Sequence, residues 1–168
     1  MYPSYEFLKT LFNVSDETFL VLQKISKFKK IDKNTAVAKV GEIPSKVYLL
    51  TSGIMRVYLN SENGKEYNKN IFSPMSFVGS LTSIVRNTPS ILTYETLTDC
   101  KVIEIDFRKI QKLCRSNLEV SNFYNSILEY VFALYEKRQL EFLTLNATQR
   151  YFKLRDRILF KYYSSSIE

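Results

Sequence analysis

Val47-Tyr48-Leu49-Leu50-Thr51-Ser52-Gly53-Ile54-Met55-Arg56-Val57-Tyr58-Leu59 is the stretch on which the fold turns. Two short apolar runs, rich in branched and aromatic side chains, flank Ser52-Gly53. Runs of this length that end on turn residues read as β-strands. The pair predicts antiparallel strands over 47–50 and 54–59, reversed at a glycine free to take positive φ. Working outward, the same punctuation recurs, and it predicts further strands over 36–40, 66–72, 91–97 and 101–105. The chain has four glycines, Gly41, Gly53, Gly64 and Gly79, and each falls where a reversal is needed. Asn63-Gly64 predicts a two-residue type I′ turn with both central residues at positive φ, joining the strand ending at Leu59 to one beginning near Lys65. Pro44, Pro74 and Pro89 also fall between the runs, where a missing N–H breaks no ladder.

On either side of the strands the period changes to that of helices. Tyr5, Leu8, Leu11 and Phe12 form one stripe, and Ser15 caps a second helix with Asp16 and Glu17 in its first turn and Phe19, Leu22 and Ile25 on its apolar face. After the last strand, Asp106 caps a short helix carrying Phe107, Ile110 and Leu113. The longest periodic segment, about 118–145, has neither glycine nor proline. Within it Val120, Tyr124, Ile127, Val131 and Leu134 recur at alternating steps of four and three, the spacing of a coiled-coil seam. Leu128, Phe132, Tyr135 and Phe142 form a second stripe. A helix with two apolar stripes must bury the second against another element, and a symmetric copy is the economical one. The pattern predicts a homodimer with Val120, Tyr124, Ile127, Val131 and Leu134 at its interface. Asn146 and Gln149 then read as a capping box opening a last helix, with Tyr151, Leu154, Ile158 and Tyr162 on one face.

Composition narrows the function. The 168 residues are 45% hydrophobic and 14% aromatic, which excludes a disordered chain. No histidine is present, so the commonest general base, the histidine-activated nucleophiles and imidazole metal ligation are all missing. A metal-dependent cupin enzyme, the alternative β-roll reading, needs a histidine and carboxylate cluster. The expectation is therefore no catalytic residues, no metal and no enzyme. Cys100 and Cys114 lack CxxC spacing and read as reduced core residues. The N-terminus lacks a basic, apolar leader, and no run of about 18 apolar residues occurs, so a cytoplasmic protein with no membrane association is expected. The net charge of +7, from 24 basic and 17 acidic residues, permits an anionic partner without requiring one. Arg150, Lys153, Arg155, Arg157 and Lys161 are spread around the last helix and read first as solvated faces.

Helices, a glycine-punctuated antiparallel roll, a short helix and a long two-faced helix, in that order, resemble the Crp/Fnr family of cyclic-nucleotide-type sensor regulators. The residues carrying the resemblance are Val40-Gly41-Glu42, the opening stretch, Asn63-Gly64-Lys65-Glu66, and Leu97-Thr98-Asp99-Cys100-Lys101-Val102-Ile103-Glu104-Ile105-Asp106. The resemblance implies a mainly β, α+β fold: a sensor roll with N-terminal helices over 1–116, a dimerisation helix over 117–145, and the start of a DNA-binding region over 146–168. It also implies a phosphate-binding cassette at Ser76-Phe77-Val78-Gly79-Ser80-Leu81 through Pro89-Ser90. In family members that bind cyclic nucleotides, a glutamate in the cassette grips the ribose and an arginine fork holds the phosphate. Here those places hold Ser80 and Pro89, so the two charged anchors are missing, while Gly79, Leu81 and Ser90 match. Arg86 stands three residues before the lost arginine.

The ligand-binding residues implied are Gly79, Ser80, Leu81 and Ser90, with Tyr124 on the long helix and Asn125 and Leu128 beside it. No cofactor is named with certainty, and the ligand would be an unidentified small-molecule effector. Two scattered cysteines fall short of the usual four thiolates of an iron–sulfur cluster, and the lack of histidine argues against the usual haem ligation. DNA contact would come only through a C-terminal helix-turn-helix not present in these residues. The expected role is the effector-sensing and dimerisation part of a transcription regulator that does not use the usual cyclic AMP contacts. The alternative is a stand-alone dimeric sensing or protein-interaction module without DNA binding.

Overall fold

The structure, a computed structural model, describes the backbone of residues 3–164 and the side chains of residues 6–159. Tyr5, Lys161 and Tyr162, which figure in the two terminal helices, have side chains outside the described residues. The chain runs α1 (Pro3–Phe12), α2 (Asp16–Ile25), β1 (Ser26–Ile31), β2 (Ala36–Ala38), β3 (Lys46–Ser52), β4 (Met55–Asn60), β5 (Glu66–Phe72) and β6 (Ser76–Val78). It continues through α3 (Leu81–Arg86), β7 (Thr93–Thr96), β8 (Cys100–Asp106), α4 (Phe107–Ser116), α5 (Leu118–Thr144) and α6 (Ala147–Ser164).

The strands form two four-stranded antiparallel sheets, ordered β1-β8-β3-β6 and β2-β7-β4-β5. In the first, Leu50 stands opposite Val102, and in the second Val57 stands opposite Tyr94. Alternation sends Leu50, Met55, Val57, Val78 and Val102 into the space between the sheets, where each is at most 2% exposed. Burying an aliphatic side chain of this size stabilises the fold by roughly 1.5–3 kcal/mol, so these five anchor the roll. The β3–β4 reversal needs its glycine for two reasons. Gly53 has φ +94°, and a Cβ there would lie 2.4 Å from the Asp99 carbonyl oxygen and 2.6 Å from Cys100 Sγ.

Six of the eight strands coincide with the expected runs, and two differ for physical reasons. β1, Ser-Lys-Phe-Lys-Lys-Ile, is an edge strand whose four central residues are exposed, so it carries no alternating apolar signal. β6 is only three residues long, inside the cassette. The Asn63-Gly64 turn is also corrected. Gly64 has φ +79°, but Asn63 is not among the residues at positive φ, so the turn is not type I′. Gly64 N–H donates to Ser61 O at 2.9 Å, and Ser61 N–H donates to Lys65 O at 2.9 Å, which closes a longer loop with a left-handed glycine at its end. Ser61 Oγ takes the place of a second positive-φ residue by accepting from Lys65 N–H at 3.0 Å.

The helix caps stand where the sequence puts them. Ser15 Oγ accepts from Thr18 N–H at 3.1 Å, and Asp106 from Arg108 N–H at 3.0 Å. Asn146 and Gln149 bond each other's backbone N–H at 3.0 Å. The 27-residue α5 is about 40 Å long and extends well beyond its packing. Its start is bound to the N-terminal helices: Glu119 accepts from Ser15 Oγ at 2.9 Å and from Thr18 Oγ1, and the Phe12 ring meets those of Phe123 and Tyr130 edge-on at 5.7 and 5.6 Å. No helix among the described residues is long and apolar enough to cross a membrane.

Candidate functional site

The cassette is built between β6 and β7. β6 ends at Val78, Gly79 turns the chain, Ser80 precedes α3, and Asn87, in the left-handed region at φ 52°, ends that helix. Ser90 returns the chain to the roll through two backbone bonds of 2.8 Å: its carbonyl accepts from Gly41 N–H, and its N–H donates to Glu42 O. The loop between β2 and β3 is thereby clasped to the cassette.

Inside this loop the charged anchors are replaced by hydroxyls that satisfy one another. Ser80 Oγ donates to Ser83 Oγ at 3.0 Å, and Ser90 Oγ lies 3.3 Å from Ser80 Oγ and 2.8 Å from the Leu92 carbonyl. Ser80, Ser83, Ser90 and Tyr94 are all buried, and among the described residues no buried side-chain N or O lacks a partner. Burial, and then the neighbouring Tyr135, push the Tyr94 phenol up to about 12, so it stays protonated. The cluster is neutral and closed, with neither the carboxylate nor the guanidinium that a ribose phosphate needs. Arg86 and Pro89 stand exposed on the outside.

Of the residues implied for the ligand, Gly79, Ser80 and Ser90 meet in this loop, with Leu81 opening α3. Tyr124 does not reach them by its ring contact, which is edge-on to Phe107 of α4 at 6.1 Å. About three turns further along α5 stands Tyr135, whose charge, if ionised, would raise the Tyr94 pKa. Sequence reasoning missed Tyr135, Tyr94 and Ser83 as site residues. Membership of the second α5 stripe was the one signal for Tyr135.

One residue of the expected interface is corrected. Val120 is 0% exposed, wholly consumed inside its own chain, and has no surface to offer a partner. Tyr124 packs on Phe107, Ile127 is half-buried, and Val131 and Leu134 line a groove facing the chain's own roll. The start of that stripe is used within the chain, by Val120 and by Tyr124 against α4, while Leu134 at its end stays exposed. Exposed apolar residues of α5 occur on both stripes, Leu134 at 49% and Phe132 at 71%, and near its end, where Leu143 is 83% exposed.

Cys100 and Cys114 are free thiols. Cys100 is buried at the Gly53 reversal, its Sγ 3.3 Å from Thr98 O and 3.5 Å from Ile54 O. Burial pushes both thiols up, which keeps them protonated. No group of three or more His, Cys, Asp or Glu side chains placed to hold a metal occurs among the described residues.

An antiparallel roll with a helix-bearing cassette between β6 and β7 and a long helix behind it defines the sensor-roll class. Residues 28–117 match the family model for the cyclic nucleotide-binding domain, and the chain belongs to that family. It is similar to the anaerobic regulatory protein of Bacillus subtilis (strain 168), 26% identical over 99 residues, covering 59% of this chain and 42% of that protein. The chain thus spans less than half the length of that curated relative. Among solved structures, the c-di-GMP responsive global regulator CLP of Xanthomonas campestris superposes with a TM-score of 0.64 at 21% identity, over 81% of this chain and 68% of that one. The Thermus thermophilus catabolite activator protein does so with a TM-score of 0.63 at 14% identity, over 82% and 62%. These likenesses show the shared fold, and the relatives are regulators of the Crp/Fnr type.

Proposed function

We propose that this chain is the effector-sensing and dimerising part of a Crp/Fnr-type transcription regulator that does not use the usual cyclic AMP contacts and has no catalytic role. The observation that carries the reading is the juxtaposition of a family sensor roll with a 27-residue helix whose outer face stays apolar, with Phe132 and Leu143 more than two-thirds exposed. Surfaces of this kind mark interaction sites, and a second copy of the same helix supplies the matching stripe. Residues 1–116 act as the sensor, 117–145 as the dimerisation helix and 146–168 as the approach to a DNA-binding helix-turn-helix. Effector binding shifts the population between two orientations of the paired helices, and the attached DNA-binding heads move with them. Regulator names among the relatives support this reading, as does the lack of histidine. A cytoplasmic location accords with it.

The closed hydroxyl cluster supports the departure from cyclic AMP. Light scattering on the purified chain is expected to give a dimer mass at micromolar concentration, and a monomer would overturn the dimer reading. Isothermal titration with cyclic AMP and cyclic GMP is expected to show no binding at micromolar concentrations. Micromolar or tighter binding of either would show that the hydroxyl cluster opens to do the work of the missing anchors.

A further inference from the structure

A cavity of about 670 Å³ runs between the β5–β6 edge of the roll, the second half of α5 and the first half of α6. That volume is within the usual range for a small-molecule site. None of Gly79, Ser80, Leu81 and Ser90 lines it, so it is separate from the cassette. Its walls are of two kinds. Phe72, Phe77, Tyr130, Tyr135 and Phe142 contribute rings, and Lys137, Arg138, Arg150, Lys153 and Arg157 contribute cations.

Glu141 is the one acidic residue in the lining, and Lys153 holds it at 3.2 Å. Arg150 lies over the Phe142 ring at 5.0 Å and donates to the Phe142 and Leu145 carbonyls. That leaves Lys137, Arg138 and Arg157 in the groove, none of them in an ion pair with a described carboxylate.

Arg138 is the decisive residue. It is half-buried, and its guanidinium donates to the Asn70 side-chain oxygen and to Lys69 O at 2.6 Å, both neutral acceptors. Burial, and then the nearby Arg157, push its pKa down, and Glu141, itself held by Lys153, only partly offsets them. Arg157 makes one long contact with the same strand, 3.5 Å to Ile71 O. A partly desolvated cation facing a second cation, with aromatic faces alongside, is complementary to an anion with a planar body.

We propose that this groove binds a small anion joined to an aromatic ring, with Arg138 and Arg157 holding the anionic group and the rings of Tyr135 and Phe142 flanking the planar part. Phosphate and carboxylate both fit a guanidinium fork, and an aromatic phosphate satisfies both walls at once. A ligand seated there touches the roll, α5 and α6 together. The proposal depends neither on dimerisation nor on the cassette.

Isothermal titration of the chain with phenyl phosphate, and separately with inorganic phosphate, tests it. The expected result is saturable binding of phenyl phosphate, at least tenfold tighter than inorganic phosphate. Arg157→Gln, at an exposed position with one long contact, is expected to keep the wild-type melting temperature and weaken phenyl phosphate at least tenfold. Arg138→Lys keeps the charge but loses the fork, and is expected to weaken binding similarly. Arg86→Gln, on the outside of the cassette, is expected to leave affinity unchanged. Absence of saturable binding, wild-type affinity in both groove variants, or loss of affinity in Arg86→Gln would each overturn the assignment. Equal affinity for phosphate and phenyl phosphate would overturn the aromatic part.

Discussion

Ser90 shows how much a single hydroxyl carries here. Its Oγ donates to the Leu92 carbonyl, accepts from Leu92 N–H at 3.2 Å and sits beside Ser80, in a position only 2% exposed. Removing it leaves buried backbone groups without a partner, which costs about 1–3 kcal/mol. Ser90→Ala is therefore expected to lower unfolding stability by that amount in urea titration, with the slope unchanged. Wild-type stability would mean that water replaces the hydroxyl without cost. A second residue-scale consequence concerns alkaline pH. The phenols of Tyr48 and Tyr94 are pushed from 10.0 up to about 12, mainly by burial, with Glu104 adding to Tyr48 and Tyr135 to Tyr94. A group whose folded pKa is raised favours folding below its unfolded pKa and ceases to do so as the pH climbs through its folded one. The melting temperature is thus expected to fall between pH 10 and 12, and Tyr94→Phe to reduce that fall. At this scale the sequence was informative about loss: Ser80 and Pro89 announced the missing anchors. It was silent about replacement, because serines spaced three and ten apart become a cluster only once β6, α3 and β7 fold together.

Elements were legible to the degree that their signals are local. Caps such as Ser15, Asp106 and the Asn146–Gln149 pair act within one turn, so their residue types alone place them. β1 escaped because an edge strand faces solvent along most of its length and has no alternation to display. α5 illustrates a different limit. Two heptad-spaced stripes were visible, but which of them faces the roll depends on where α4 and the β5–β6 edge pack, and that is tertiary information. Val120 turned fully inward, Ile127, Leu128 and Val131 are half-buried, and Phe132, Leu134 and Leu143 stay exposed. On the proposed pairing, Phe132→Glu combined with Leu143→Glu is expected to convert the dimer to a monomer in light scattering while leaving the melting temperature within a few degrees of wild type. Ile127→Glu with Val131→Glu should instead destabilise the chain itself by several kcal/mol, since it places charge in a half-buried wall. If the second pair dissociates the dimer without loss of stability, the inner stripe is the seam.

For the molecule as a whole, the arrangement separates three surfaces by chemistry. The cassette is neutral and shut, the groove beside α5 and α6 is cationic and open, and the outer side of α5 is apolar. On the function proposed above, this separation would let the chain admit a ligand and pair with a copy without one surface interfering with another. The +7 charge is not spread at random over these surfaces, because five of the groove's lining residues are basic. Raising the salt concentration from about 0.05 to 0.5 M is expected to weaken any anion bound in the groove while leaving the apolar dimer contact intact or strengthened. Titration and light scattering on the same samples would separate the two effects, and a dimer that falls apart with added salt would point to charge rather than apolar burial at the seam.

The lysines of β1 carry one more consequence. This strand closes one border of its sheet with its backbone available to pair, and Phe28, 59% exposed, would make such pairing adhesive. Lys27 and Lys30 lie along the same exposed border, and Lys29 pairs with Glu104 at 2.9 Å across the sheet. Two copies approaching border to border would bring the Lys27 and Lys30 ammonium groups together, which disfavours that pairing. The same lysines that hid β1 from a reading of the sequence are thus expected to oppose edge-to-edge growth of fibres.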